Sequence, residues 1–179
     1  NFIDNIKSEK EEKIIEETQE NIEKEKTMKL SIKEGAVASV MSGFGDSYIT
    51  PYALALNANN AQIGFLGSIA GLLGPLSQIK GSRLMESNPR KKIFVAGVFF
   101  QALMWIPILL LTLLLNKNIL TPYLPIFLII FYSVYAIAGS IGGPAWFSLL
   151  GQVVPEKIRG KYFGKRNTIS GIVALTTTL

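Results

Sequence analysis

The chain of 179 residues has no cysteine and no histidine. Without cysteine there are no disulfides and no thiolate metal sites, and without histidine the commonest general base and metal ligand is gone. Most hydrolytic chemistry is thereby disfavoured, and neither a cofactor nor a metal site is expected. Acidic residues are also scarce over most of the length. After Glu34 only Asp46, Glu86 and Glu156 remain, against eleven Lys and Arg, a net of +8. Fourteen charges cannot cover a water-facing domain of 145 residues, so this stretch is expected to face a lipid bilayer.

Residues 1–34 differ, with seven Lys against ten acids, a net of −3. Glu9 with Lys13, Glu20 with Lys24 and Glu25 with Lys29 stand at the i, i+4 spacing that supports an exposed helix, and Ile14, Ile15 and Ile22 form only a thin apolar stripe. The reading is a solvated, charged cytoplasmic leader, helical or disordered, and not a cleaved signal.

Uncharged runs place the spans, since roughly 30 Å of hydrocarbon at about 1.5 Å per residue takes about 20 residues of helix. Four runs suffice, at about 35–56, 61–79, 93–115 and 126–150, the first interrupted only by Asp46. A fifth, 167–179, is too short to cross, so the chain is expected to be an incomplete protein truncated in a fifth helix. Pro122 and Pro125 fall in a short loop before the fourth span. Positive charge alternates between the links: ten Lys and Arg lie in the second and fourth links, and Lys117 alone in the other two. By the positive-inside bias the amino terminus is cytoplasmic, and an integral protein of the plasma (inner) membrane is expected. The same bias accounts for the overall +5 balance without nucleic acid as a partner.

Polar residues inside the spans are the candidate site. Ser39, Ser42, Asp46 and Thr50 share one face of the first span, with Gly43 and Gly45 flanking the acid and Thr50–Pro51 expected to bend the helix just beyond it. A mid-membrane carboxylate is costly when charged, so Asp46 is expected to face a wet cavity and bind a proton, a cation or the solute. A structural acid paired elsewhere is the competing reading. Tyr132 and Tyr135 share a face of the fourth span with Gly139, Gly143 and Trp146, Pro144 marking an expected kink, and their rings offer stacking surfaces with polar tips. Gly64, Gly67, Gly71 and Gly74 fall within about 80° of arc on the second span and are expected to admit a close helix neighbour.

The second link runs Gly81, Ser82, Arg83, Leu84, Met85, Glu86, Ser87, Asn88, Pro89, Arg90, Lys91, Lys92. It resembles the signature loop of the major facilitator superfamily, with Met85 where an acid is usual, Glu86 one place later, and Asn88–Pro89 replacing the turn glycine. The segment from Pro155 through Glu156, Arg159 and Gly160 to Asn167 is similar to that superfamily's link into its fifth helix. The resemblance covers residues 34–179. It implies an all-α polytopic transmembrane bundle, twelve helices in two halves of which this chain is most of the first, and secondary active transport of a small solute by alternating access. It further implies a site lined by the first and fourth helices, and cytoplasmic gating through Gly81, Glu86, Arg90, Lys91, Arg159 and Gly160. The partners would be a solute, a proton or cation, the lipid bilayer and the missing carboxy-terminal half. Two features depart from the pattern: the fourth span has no Arg, and the antiporter Gly-Pro signature would lie at or beyond Leu179. Alternatives are a membrane-embedded enzyme acting on a lipid-linked substrate, which would need acids closer together than these three, and a non-transporting scaffold.

Overall fold

The structure, a computed structural model, describes residues 2–179. Among these are six α-helices: α1 (Phe2–Phe44), α2 (Ile49–Ala55), α3 (Asn60–Ser87), α4 (Arg90–Asn116), α5 (Leu124–Val153) and α6 (Arg159–Thr178). Single 3-10 turns at Asp46–Tyr48, Thr121–Tyr123 and Glu156–Ile158 precede α2, α5 and α6, and the described residues contain no strand. The all-α class is as expected. Two helices, Arg90–Asn116 and Thr121–Val153, are long and apolar enough to cross a membrane.

Local chemistry sets the boundaries. At the start of α3, Asn59 Oδ1 accepts from Gln62 N and Gln62 Oε1 accepts from Asn59 N, both at 2.9 Å. This reciprocal cap satisfies two donors that the first turn leaves orphaned, worth about 1 kcal/mol. Helix α3 stops at Ser87 because Pro89 disfavours helical backbone at Asn88, which is extended with φ −133° and ψ 146°. Helices α2 and α4 end alike. Asn57 and Asn118 take left-handed backbone, φ 64° and 53°, a conformation Asn tolerates better than most residues. In each, the left-handed amide reaches back three residues and the next amide five: Asn57 to Leu54 and Ala58 to Ala53, Asn118 to Leu115 and Ile119 to Leu114. These paired bonds close the last carbonyls of the helix. Pro125 lies in the first turn of α5, where its missing N–H has no helical partner to lose, so the helix starts two residues before the expected span. Pro144, where a kink was expected, is inside a helix that continues uninterrupted to Val153.

The chain forms two compact units, one of residues up to Phe44 with Leu150–Leu179, the other Gly45–Leu149. In the second, Ile49 and Ala53 of α2 and Leu56 just after it pack with Leu66 of α3, Ile108 and Leu111 of α4, and Leu124 and Leu128 of α5. The Tyr52 hydroxyl donates to Ile108 O at 2.9 Å and lies 2.9 Å from Thr112 Oγ1. The buried face of α3 carries Leu66, Gly74, Ser77 and Gly81. Within this unit the expected glycine stripe is mostly not the packed face. A Cβ on Gly64, Gly67 or Gly71 would meet nothing within 4 Å, and only Gly74 has a neighbour, Ser140 Oγ at 3.1 Å. The reason is rotational: Leu66, Ser77 and Gly81 turn the helix so that the other three glycines lie off the packed face. Backbones come close instead at Gly81, whose Cβ would stand 2.6 Å from Ile141 O, and at Gly97, 2.8 Å from Ala138 O.

In the first unit the charged leader and the apolar residues after it are one uninterrupted helix. Lys24–Glu20 and Lys29–Glu25 pair at 2.7 Å each, as expected from their spacing, and the Lys29 ammonium, by hydrogen bond and charge, holds the Glu25 carboxyl below its ordinary range. The expected Glu9–Lys13 pair lies outside the described residues. Toward its end α1 packs on α6. The Tyr162 hydroxyl donates to Met28 O at 3.0 Å, and Arg166 donates to Ser31 O at 3.3 Å and to Glu34 Oε2 at 3.0 Å. Gly35 makes room for that guanidinium, since a Cβ there would lie 2.8 Å from Arg166 Cζ.

Candidate functional site

Helix α1 does not bend beyond Thr50 as expected; it ends at Phe44, and the chain makes a 3-10 turn through Asp46 itself before α2 begins at Ile49. Pro51 favours the shift, although Pro75, Pro107 and Pro144 are each accommodated inside a continuous helix. Within one continuous helix its ring would press on the carbonyl of Ser47 and leave that carbonyl without a donor. Breaking the helix at residues 45–48 puts Pro51 in the first turn of α2, where neither problem arises. The acid therefore lies at a helix interruption, the place where membrane helices present ion-binding groups.

Around the half-buried Asp46 the second unit gathers three aromatic residues. The Tyr135 hydroxyl donates to Asp46 Oδ2 at 3.2 Å, and Tyr135 is only 5% exposed. Tyr132, one turn earlier on α5, stacks on Tyr135 with centroids 5.3 Å apart and planes at 16°. Trp105 of α4 meets the same ring edge-on at 5.6 Å and 73°. Its indole nitrogen is buried with no hydrogen-bond partner among the described residues. One carboxylate, one donated hydroxyl and a three-ring wall can hold a small polar or cationic group against apolar surface. On the next turn of α5, Gly139 leaves space that the Gln101 amide of α4 occupies.

Asp46, Tyr132 and Tyr135, expected from the first and fourth spans, are thus brought together. Thr50 is exposed on α2, and Ser42 is part of α1 in the other unit. Trp105 was missed; the available signal was a lone indole N–H deep in an apolar helix, a donor that needs a partner. Of the gating candidates, Gly81 is buried against Ile141. Glu86 and Lys91 are exposed, Arg90 is half-buried, and the three make no ion pair among the described residues. Arg159 caps the end of α5 in the first unit, its Nη2 donating to Gly151 O at 3.0 Å and Val154 O at 3.5 Å. Such a cation suits the negative end of a helix dipole. Gly160 is exposed. The Arg166–Glu34 ion pair was also missed, because its partners are 132 residues apart and nothing local joins them.

Two apolar helices of spanning length in an all-helical fold are compatible with an integral membrane protein. The family model of the Major Facilitator Superfamily matches residues 35–179, and the chain belongs to that superfamily, whose members are membrane transporters. No curated protein and no solved structure matches it.

Proposed function

We propose that the chain serves secondary active transport of a small solute by alternating access, with Asp46 as the group that takes the solute or a coupling proton or cation. The observation that supports this most is the Tyr135–Asp46 hydrogen bond at the helix interruption. The Tyr135 hydroxyl is donated to the carboxylate. A proton or cation arriving at Asp46 competes with that hydroxyl, so occupancy and the position of α5 are linked. Two states that differ in this bond respond to the ligand only through their difference in affinity for it. The spans at about 35–56, 61–79, 93–115 and 126–150, a cytoplasmic amino terminus, the plasma membrane and a second six-helix half opposite Asp46 belong to the same reading, supported by the charge bias of the links and the family resemblance.

The test is Asp46→Asn in the full-length protein, with gradient-driven transport and solute exchange measured side by side. Asn keeps the shape and fixes a neutral state. Loss of gradient-driven transport with exchange retained is the expected result, and unchanged gradient-driven transport removes the coupling role.

A further inference from the structure

The α4–α5 contact leaves a groove that the transport reading does not use. Gly97 brings the two backbones together, and the small side chains of Ala96 and Ala138 leave a hollow between Ile93, Phe100, Val134 and Ile141. The hollow is about 440 Å³, almost wholly apolar and open along one side. Phe100 and Val134 on its walls are 51% and 41% exposed. One end is polar: Asn88 and Lys92 line it, and Lys91 and Lys92 line an adjoining apolar hollow that shares Ala96 and Phe100. The link at that end carries Lys80, Arg83, Arg90, Lys91 and Lys92 against the single acid Glu86.

We propose that this groove binds an anionic phospholipid, an acyl chain lying along Ala96, Phe100 and Ile137 with the headgroup phosphate at Lys92 and Lys91. Charge complementarity selects this occupant. Lys92 at the mouth of the apolar trough, with Lys91 beside it, matches an acyl chain that ends in an anionic headgroup. A membrane helix with exposed aromatic and aliphatic side chains already stands among lipid tails, and basic residues at the end of such a cleft draw anionic headgroups in preference to zwitterionic ones. Seating differs from general attraction in requiring the hollow as well as the charge.

The full-length protein in neutral detergent, offered phosphatidylglycerol or phosphatidylcholine and examined by native mass spectrometry, tests the site. One retained phosphatidylglycerol is expected, with phosphatidylcholine washed away. Lys91→Ala with Lys92→Ala should weaken retention roughly 30-fold, and Ala96→Phe, which fills the hollow and keeps every charge, should abolish it. Lys10→Ala with Lys13→Ala, the same charge taken from the leader, should change nothing. Equal retention of the two lipids, retention undiminished in Ala96→Phe, equal loss in the leader variant, or displacement by glycerol phosphate alone would each overturn the proposal. If Ala96→Phe does not fold, Ala96→Leu takes its place with the same two outcomes.

Discussion

Tyr135 reaches Asp46 through a single hydroxyl, and that atom can be removed with little change of shape. Tyr135→Phe should therefore keep the stacking on Tyr132 and the edge contact with Trp105 while removing the donor. The expected outcome is near-normal stability with gradient-driven transport lowered by about tenfold, the factor that corresponds to one hydrogen bond to a charged group. Transport and thermal unfolding measured on the same preparation check it, and a large loss of stability with transport per folded molecule unchanged would make the contact structural. Trp105 has the opposite profile. Truncation to Ala removes a ring wall as well as a donor, so Trp105→Ala should lower stability by about 3–5 kcal/mol, the usual range for a large aromatic in a packed site. Glu25 gives a pH dependence whose sign is set by its lowered carboxyl. Its pairing with Lys29 supports the helix above the ordinary carboxylate range and is lost as pH falls through the lowered value. Hydrogen-exchange protection over residues 20–30, taken relative to the intrinsic rate at each pH, should fall in acid, and by less in Glu25→Gln.

Among the elements, α3 shows what spacing reveals and what it conceals. Four glycines on one stripe were legible as a smooth face, yet which face of a helix is packed depends on its neighbours, and Leu66, Ser77 and Gly81 decide it. Gly97→Ala should accordingly cost about 1–3 kcal/mol, because its Cβ would meet the Ala138 carbonyl and backbone cannot easily yield. Gly67→Ala should be neutral or slightly stabilising, since it meets nothing and improves helix propensity. Thermal unfolding of the two variants gives the comparison, and equal stability would mean the close approach at Gly97 is absent in the bilayer. The helical class was legible from charge depletion and the shared face of Tyr132 and Tyr135 from their i, i+3 spacing, both local properties, whereas a site joining them to Asp46 was implied only by the family resemblance. The break at Asp46 was misplaced by a few residues because a proline signals that a helix cannot run through it unchanged, not on which side it will yield. The contact of Trp105 with Tyr135 and the Arg166–Glu34 pair were not legible, since each joins distant helices and neither was implied by the resemblance.

At the scale of the whole molecule, the charge bias of the links makes orientation measurable. Cysteines introduced at Ser87 and Lys161 should react with impermeant reagent only from the cytoplasm, and one at Asn59 only from outside. The chain has no cysteine of its own to confuse the result. Labelling of positions 87 and 59 from one side would dismiss the arrangement of spans.

Helix α1 passes from a charged leader into apolar sequence with no joint, and from Met28 onward it is held against α6. A rod without a hinge is a lever. From Met28 out to Lys10 it extends about 27 Å, so a tilt of about 10° at the held end sweeps the free end through roughly 5 Å. Movement inside the bilayer, too small to see directly at a binding site, would be magnified at a place open to water, where a label on the leader could report it without touching the membrane-embedded residues.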